Sequence, residues 1–184
     1  MADCSEAPHP FVDWSGCDKS GVNLIYAFMP RGNLTGVNLS NAIVKFSNLD
    51  TATLIDANLT GAQFIGTNLQ GADLTGADLT GANLTAAGLA YANLTGATLV
   101  NVTFDFTTLN GATLPYANLA DALAANPSLY YARGIDSLVF AAPEPEAWIL
   151  MGLAVFGVGG VLRTRRRGGP CRDNSASAQE SRCI

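Results

Sequence analysis

The sequence predicts an all-β solenoid followed by one C-terminal transmembrane helix, and three observations carry the prediction. A large apolar residue recurs at every fifth position from Leu24 to Leu119; sixteen of these twenty are Leu, and the others are Met29, Val44, Phe64 and Phe104. No insertion breaks the phase. An uncharged apolar run, residues 147–162, then ends at Arg163, Arg165, Arg166 and Arg167.

The period selects the architecture. A helix turns about 500° in five residues, so the Leu set would smear round its surface. A flat strand would send alternate members to opposite faces, because five is odd. The chain must turn once per unit so that every Leu points at one axis. Two residues before each large residue stands a small one, Ala in thirteen cases, such as Ala52, Ala57 and Ala72. Between them lies a polar slot with nine Asn and two Asp, Asp73 and Asp78. Gly stands two residues after the large one eight times, as at Gly61 and Gly66, where a turn uses its conformational freedom.

Units such as Gly71 to Thr75 (GADLT) and Tyr91 to Thr95 (YANLT) resemble pentapeptide-repeat proteins, whose pattern is Ala-(Asp/Asn)-Leu-x-x. The resemblance covers residues 22–121 and implies a right-handed quadrilateral β-helix with four pentads per coil. Twenty pentads then make about five coils, a prism roughly 24 Å long at about 4.8 Å per coil. Residues twenty apart stack, and one interior column is Leu24, Val44, Phe64, Leu84 and Phe104. Burying each large side chain contributes about 1.5–3 kcal/mol. Backbone ordering costs about 1–2 kcal/mol per residue, so stability is ordinary and the ends need cover. Residues 1–21 are expected to cap the N-terminal end, with Phe11, Val12 and Trp14 as apolar cover. Residues 122–142 are expected to form a cap or linker at the other end. There DALAA, from Asp121, allows a short helical turn, and Leu129, Tyr130, Tyr131, Leu138, Val139 and Phe140 supply bulk.

Four-unit stacking also sets the outward columns. One holds Tyr26, Phe46, Gly66, Ala86 and Phe106; its aromatics form either a glycan-docking stripe or packing on neighbouring turns. Another, Asn38, Asn58, Asp78, Thr98 and Asn118, has one carboxylate, too little charge for a calcium site. Some soluble members of the resembled family mimic duplex DNA and inhibit gyrase. Here the repeats before Asp121 carry Asp50, Asp56, Asp73, Asp78 and Asp105 against Arg31 and Lys45, a balance of −3. That is far from phosphate-like charge density. Inhibition of a type II topoisomerase is therefore an alternative reading, and a nucleic-acid partner is not expected.

Pro143, Glu144 and Pro145, the apolar run and the arginines, in that order, resemble the PEP-CTERM sorting signal of Gram-negative bacteria that make exopolysaccharide. The resemblance covers residues 143–167, with Glu146 where the family usually has Ser or Thr. It implies that exosortase, a membrane protease-transpeptidase, recognises Pro143, Glu144 and Pro145. The helix would hold the precursor in the inner membrane, and Arg163, Arg165, Arg166 and Arg167 would stop transfer. A helix over 147–162 spans about 24 Å, and snorkelling arginines bring it to a roughly 30 Å hydrocarbon core. Arginines mark the cytoplasmic side, which puts the repeats outside the cytoplasm. The charge split agrees: residues 1–162 hold 13 acids and 4 bases, and residues 163–184 hold 2 acids and 6 bases. Residues 168–184 read as a disordered tail.

In this topology Cys4 and Cys17 lie outside the cytoplasm, where a disulfide is permitted. A bridge would close a small loop worth about 3 kcal/mol; the alternative is two unpaired thiols. Cys171 and Cys183 fall on the cytoplasmic side. Export needs a signal, and Met1 to Cys4 lacks a basic start and an apolar run, so the expected start lies upstream. Nothing points to catalysis. His9 is the single histidine, and no Gly-x-Ser-x-Gly or phosphate-binding loop occurs. Asp73 and Asp78 occupy a repeat position that turn hydrogen bonding explains. The expected protein is non-enzymatic, without metal or cofactor. Its expected partners are the inner membrane, exosortase and exopolysaccharide, and its destination is the cell surface or matrix, as a scaffold.

Overall fold

Parallel bridges join residues twenty apart without interruption, from Asp13 with Asn33 to Asn93 with Thr113. Four pentads therefore complete one coil, and each pentad is one side. The structure is a computed structural model that describes residues 2–116 and 119–140. The expected sorting motif (Pro143, Glu144, Pro145), the apolar run 147–162, the arginines, Cys171, Cys183 and the tail 168–184 lie outside the described residues. Among the described residues no helix is long and apolar enough to cross a membrane.

One side shows how the backbone is satisfied. The Asn38 N–H donates to the Cys17 carbonyl in the coil before (2.9 Å), and Leu39 and Asn41 donate to Asn58 and Thr60 in the coil after (2.8 Å each). The Ala42 N–H turns back onto the Leu39 carbonyl at 3.0 Å, closing the corner. The corner has a fixed conformation. Every fifth residue from Phe11 to Gly111 has a positive φ, between 52° at Thr51 and 69° at Gly76. Eleven of these corners are not glycine, and each such corner costs about 1–2 kcal/mol.

The large and small slots form the core. Met29, Leu34, Phe64, Leu84 and Phe104 are fully buried, as are Ala42, Ala62 and Ala82. Three small slots hold hydroxyls, and each is satisfied. Ser47, Thr67 and Thr107 donate to the carbonyls of Leu24 (2.5 Å), Val44 (2.5 Å) and Leu84 (2.7 Å). A buried hydroxyl without such a partner would cost about 1–3 kcal/mol.

Both ends depart from the expected boundaries. The tube starts near residue 11, not at 22: Phe11, Trp14, Gly16, Lys19 and Gly21 donate to the next coil like any later unit. Val12 and Trp14 fill a small and a large slot and are buried. Lys19 stands where Leu stands elsewhere, and its amino group lies 4.0 Å from the centroid of the Trp14 ring, a cation–π contact worth about 0.5–1 kcal/mol at an exposed site. At this end residues 2–10 lie outside the coil.

At the other end the expected final pentad is not a side of the tube. The chain leaves after strand β1 (Thr113–Leu114), and Leu119 begins helix α1 (Leu119–Ala125). Two short 3-10 turns, Pro127–Tyr131 and Ile135–Ser137, lead to β2 (Val139–Phe140), which pairs in parallel with β1. This return takes over the ladder. Phe106 and Leu109 donate to Tyr131 and Arg133, Val139 donates to Ala112, and the Phe104 N–H reaches the Ser128 hydroxyl at 3.1 Å. Leu129 and Ala122 are fully buried in the closure, whereas Tyr130, Tyr131 and Val139, expected as bulk, are exposed. Truncation after Asp121 removes Leu129 and β2 together. The truncated chain should aggregate or melt at lower temperature, and thermal unfolding unchanged from the full chain would remove the capping role.

Candidate functional site

The outward slots come first, because any partner meets them. In the unit described above, one N–H remains, that of Ser40. It donates to the side-chain Oδ1 of Asn38 at 3.1 Å. The same bond recurs from Asp50 to Asn48, Thr60 to Asn58, Thr75 to Asp73, Thr80 to Asp78, Thr85 to Asn83 and Thr95 to Asn93. The polar slot is thus the acceptor for the N–H that the ladder does not reach. Asn side chains also link coils: Asn33 and Asn38 donate to Asp13 and Asp18 one coil below, at 3.1 and 3.0 Å. The hydroxyls of Thr60, Thr75 and Thr95 close onto the same acceptors at 2.6, 2.5 and 2.7 Å. One acceptor oxygen of each of these side chains is thus turned onto the backbone.

These bonds set the acid behaviour. The Ser15 hydroxyl and N–H hold the Asp13 carboxyl below its ordinary 3.8, and Asn33 adds to the effect. Ser20 does the same for Asp18, and Thr80 for Asp78. An aspartate held low stabilises the fold above its ordinary value and loses that contribution as pH falls through the lowered one. His9 runs the other way. A 2.7 Å pair with Glu6 holds it above 6.5, so its share is present in acid and lost as pH rises through the raised value. The melting temperature should rise slightly from neutrality to about pH 5 as His9 takes up its proton, and fall below about pH 4. The double substitution Asp13→Asn and Asp18→Asn keeps both turn acceptors but cannot titrate, so it should flatten the acid fall; an unchanged profile in scanning calorimetry would contradict this assignment.

Stacking places Tyr26, Phe46 and Phe106 on one corner column. The Tyr26 and Phe46 rings stack, with centroids 5.6 Å apart and planes at 22°. The other side of the Phe46 ring lies on Gly66, where an added Cβ would come within 2.7 Å of it. Tyr91 lies on Gly111 in the same way, with 2.8 Å to the ring. Phe106 sits three coils from Phe46. Along the tube Phe46 is met by Tyr26 on one side and Gly66 on the other, whereas Tyr26 and Phe106 remain 74% and 61% exposed. Gly81 has open space around its α-carbon, so Gly81→Ala should cost only the corner strain, about 1 kcal/mol. Gly66→Ala should cost more because it displaces the Phe46 ring, and adding Phe46→Ala should return it to the Gly81→Ala level; urea unfolding of the three variants checks this.

Cys4 and Cys17 are joined by a disulfide, with Cα atoms 5.5 Å apart. With the Trp14 indole N–H, which donates to the Glu6 carbonyl at 3.2 Å, it clips residues 2–10 onto the first coil. The period of five, carried back from Leu24, lands on Lys19 and then Trp14, and only their residue types conceal the slots. The signal that finds them is the small-polar-large order of Val12, Asp13, Trp14 and Cys17, Asp18, Lys19. A cleft of about 310 Å³ lies between the last coil and α1, lined by Leu99, Val100, Pro115 and Tyr116 among others. Burial raises the Tyr116 phenol, whose oxygen accepts from the Asn126 amide at 2.6 Å. The cleft brings together no nucleophile and base. Among the described residues no group of three or more His, Cys, Asp or Glu is placed to hold a metal ion.

A tube with sides of five residues and a polar slot spent on its own backbone defines a class of repeat solenoids. The family profile described as Pentapeptide repeats matches in eight copies, over residues 17–54, 33–71, 47–85 and 87–123. The chain belongs to the pentapeptide-repeat family. Among solved structures it is similar to a pentapeptide repeat protein of the Arabidopsis thaliana thylakoid lumen, at 31% identity over 61% of this chain and 72% of that one, with a TM-score of 0.43. A pentapeptide repeat protein from the cyanobacterium Cyanothece 51142 is also 31% identical, over 54% of this chain and 85% of that one, with a TM-score of 0.37. QnrB1, a plasmid-mediated fluoroquinolone resistance protein, is 19% identical over 81% and 88%, with a TM-score of 0.46. No curated protein is significantly similar to the chain.

Proposed function

We propose that the chain is a non-enzymatic, exported pentapeptide-repeat β-helix, held in the inner membrane by residues 147–162 and sorted by exosortase at Pro143, Glu144 and Pro145. In this reading it reaches the cell surface or exopolysaccharide matrix and acts there as a rigid spacer or scaffold. The observation that carries the reading is the order of three features in the sequence: Pro-Glu-Pro, then sixteen uncharged residues, then Arg163, Arg165, Arg166 and Arg167. The Cys4–Cys17 disulfide supports it, because such bonds persist in oxidising compartments. Inhibition of a topoisomerase remains the alternative, although the small negative balance of the repeats is far from phosphate-like.

Membrane fractionation with a label on the C-terminal tail tests the reading. The precursor should sediment with the inner membrane, with the Arg163–Arg167 end facing the cytoplasm. In a host with exosortase, mass spectrometry of the mature protein should place the cleavage near Pro143 to Glu146. A soluble cytoplasmic chain with an intact tail would overturn the proposal, and a gyrase supercoiling assay would then test the alternative.

A further inference from the structure

One long side of the tube stands apart in its outward chemistry. It is built from residues 42–45, 62–65, 82–85 and 102–105 of successive coils and is edged by the corner column of Phe46, Gly66, Ala86 and Phe106. Lys45 stands near one end of it and Asp105 near the other, whereas the charged residues on the remaining sides after Val22, namely Asp50, Asp73 and Asp78, are all acidic. Among the described residues neither Lys45 nor Asp105 has an ion-pair partner. Ile43, Gln63 and Thr103 fill its polar slot, where the opposite side has Asn33, Asp73 and Asn93. The N–H groups of Lys45, Ile65 and Asp105 consequently have no protein acceptor among the described residues. This side spends less of its surface on its own backbone, and both phenylalanines on its edge are exposed.

We propose that this side packs flat against the same side of a second copy, with the two tubes lying alongside each other, antiparallel about a two-fold axis at the level midway between Ile65 and Thr85. Such an axis keeps each column on its own column and reverses the order of the coils, which are spaced about 4.8 Å apart. Lys45 then faces Asp105 of the other copy, and symmetry repeats the pair. In the polar slots Gln63 faces Asn83 of the other copy, amide to amide. On the corner column Phe46 comes level with Phe106 of the other copy, and the small residues Gly66 and Ala86 between them let the tubes approach. Tyr131, whose carbonyl receives the Phe106 N–H as a further coil would, comes level with Tyr26 of the other copy. A parallel two-fold would instead set Lys45 level with Lys45 and Asp105 with Asp105, so charge selects the antiparallel one. These four rings carry roughly 150–250 Å² each and expose half of it or more. With the half-buried side chains between them, the two copies bury about 1,200–1,500 Å² in total, within the range of specific interfaces. The contact is closed by its symmetry and stops at two copies.

Sedimentation velocity of the full chain in mild detergent, over a micromolar concentration series, tests this. The dimer fraction should rise with concentration and fall with added salt. Lys45→Asp and Asp105→Lys each set like charges opposite one another, and each should raise the dissociation constant about tenfold or more. Combining the two reversals in one chain, or mixing the two single variants, restores opposite charges and should restore the dimer. Circular dichroism should stay unchanged, because neither residue has a charged partner within one copy. Asp50→Lys, on the neighbouring side, changes the net charge as much as Asp105→Lys does and should leave the dimer intact. A chain that is monomeric at every concentration, a dimer that survives both single reversals, or one that the combined reversal fails to restore would overturn the proposal.

Discussion

The structure depends on how each five-residue side satisfies its backbone: four of the five N–H groups find carbonyls, and on about half of the sides an Asn or Asp in the polar slot accepts the fifth. A five-residue side offers five donors. Two reach the coil ahead, one reaches the coil behind, and one folds back at the corner. The fifth faces outward, and the Asn or Asp two residues earlier accepts it, as Asn38 does for Ser40. A buried or half-buried donor left alone is costly, which is why a short amide or carboxylate recurs in the sequence. Departures are of two kinds: Phe28 has no acceptor to offer but is followed two residues on by Pro30, which has no N–H, whereas after Ile43 and Gly88 the N–H groups of Lys45 and Ala90 have no protein acceptor among the described residues. Asp73 and Asp78, which look like candidate acids in isolation, serve the backbone in the same way.

The corner is the second constraint. A left-handed residue at each corner turns the chain a quarter of the way round, and without it the large slots would not share an axis. Glycine meets this at no steric cost, yet the chain uses Phe, Tyr, Asn, Thr and Asp at many corners. Several of these lie down on a glycine one coil later: Phe46 on Gly66, Tyr91 on Gly111 and Asn41 on Gly61. Some corner glycines therefore serve the coil before them as much as their own φ.

The interior was legible in the sequence because period five requires one turn per unit and the slots repeat with little variation, while the count of four units per coil came from the resemblance to pentapeptide-repeat proteins. The ends were less so. Trp14 and Lys19 hide the first coil because neither is a Leu, although the small and polar slots before them keep the pattern. Leu119 keeps the phase but begins a helix, since the chain had already left the tube at Pro115. Leu129 could be named as bulk, but which of its neighbours turns inward depends on the path of the return through Arg133 to β2, and no local pattern encodes that path. The aromatic column was visible from stacking alone. That its rings lie along the tube was not, because ring orientation follows from the glycine beneath Phe46.

Every inter-coil bond runs along the axis of the tube, and this decides how the molecule meets mechanical load. A pull on a free terminus does not strain all the bonds of a coil at once. It peels them singly, like thread drawn off a spool, so unravelling needs little force but absorbs work steadily. The covalent clip between Cys4 and Cys17 ties down the loose end at one side, so extension must begin beyond it or from the far closure.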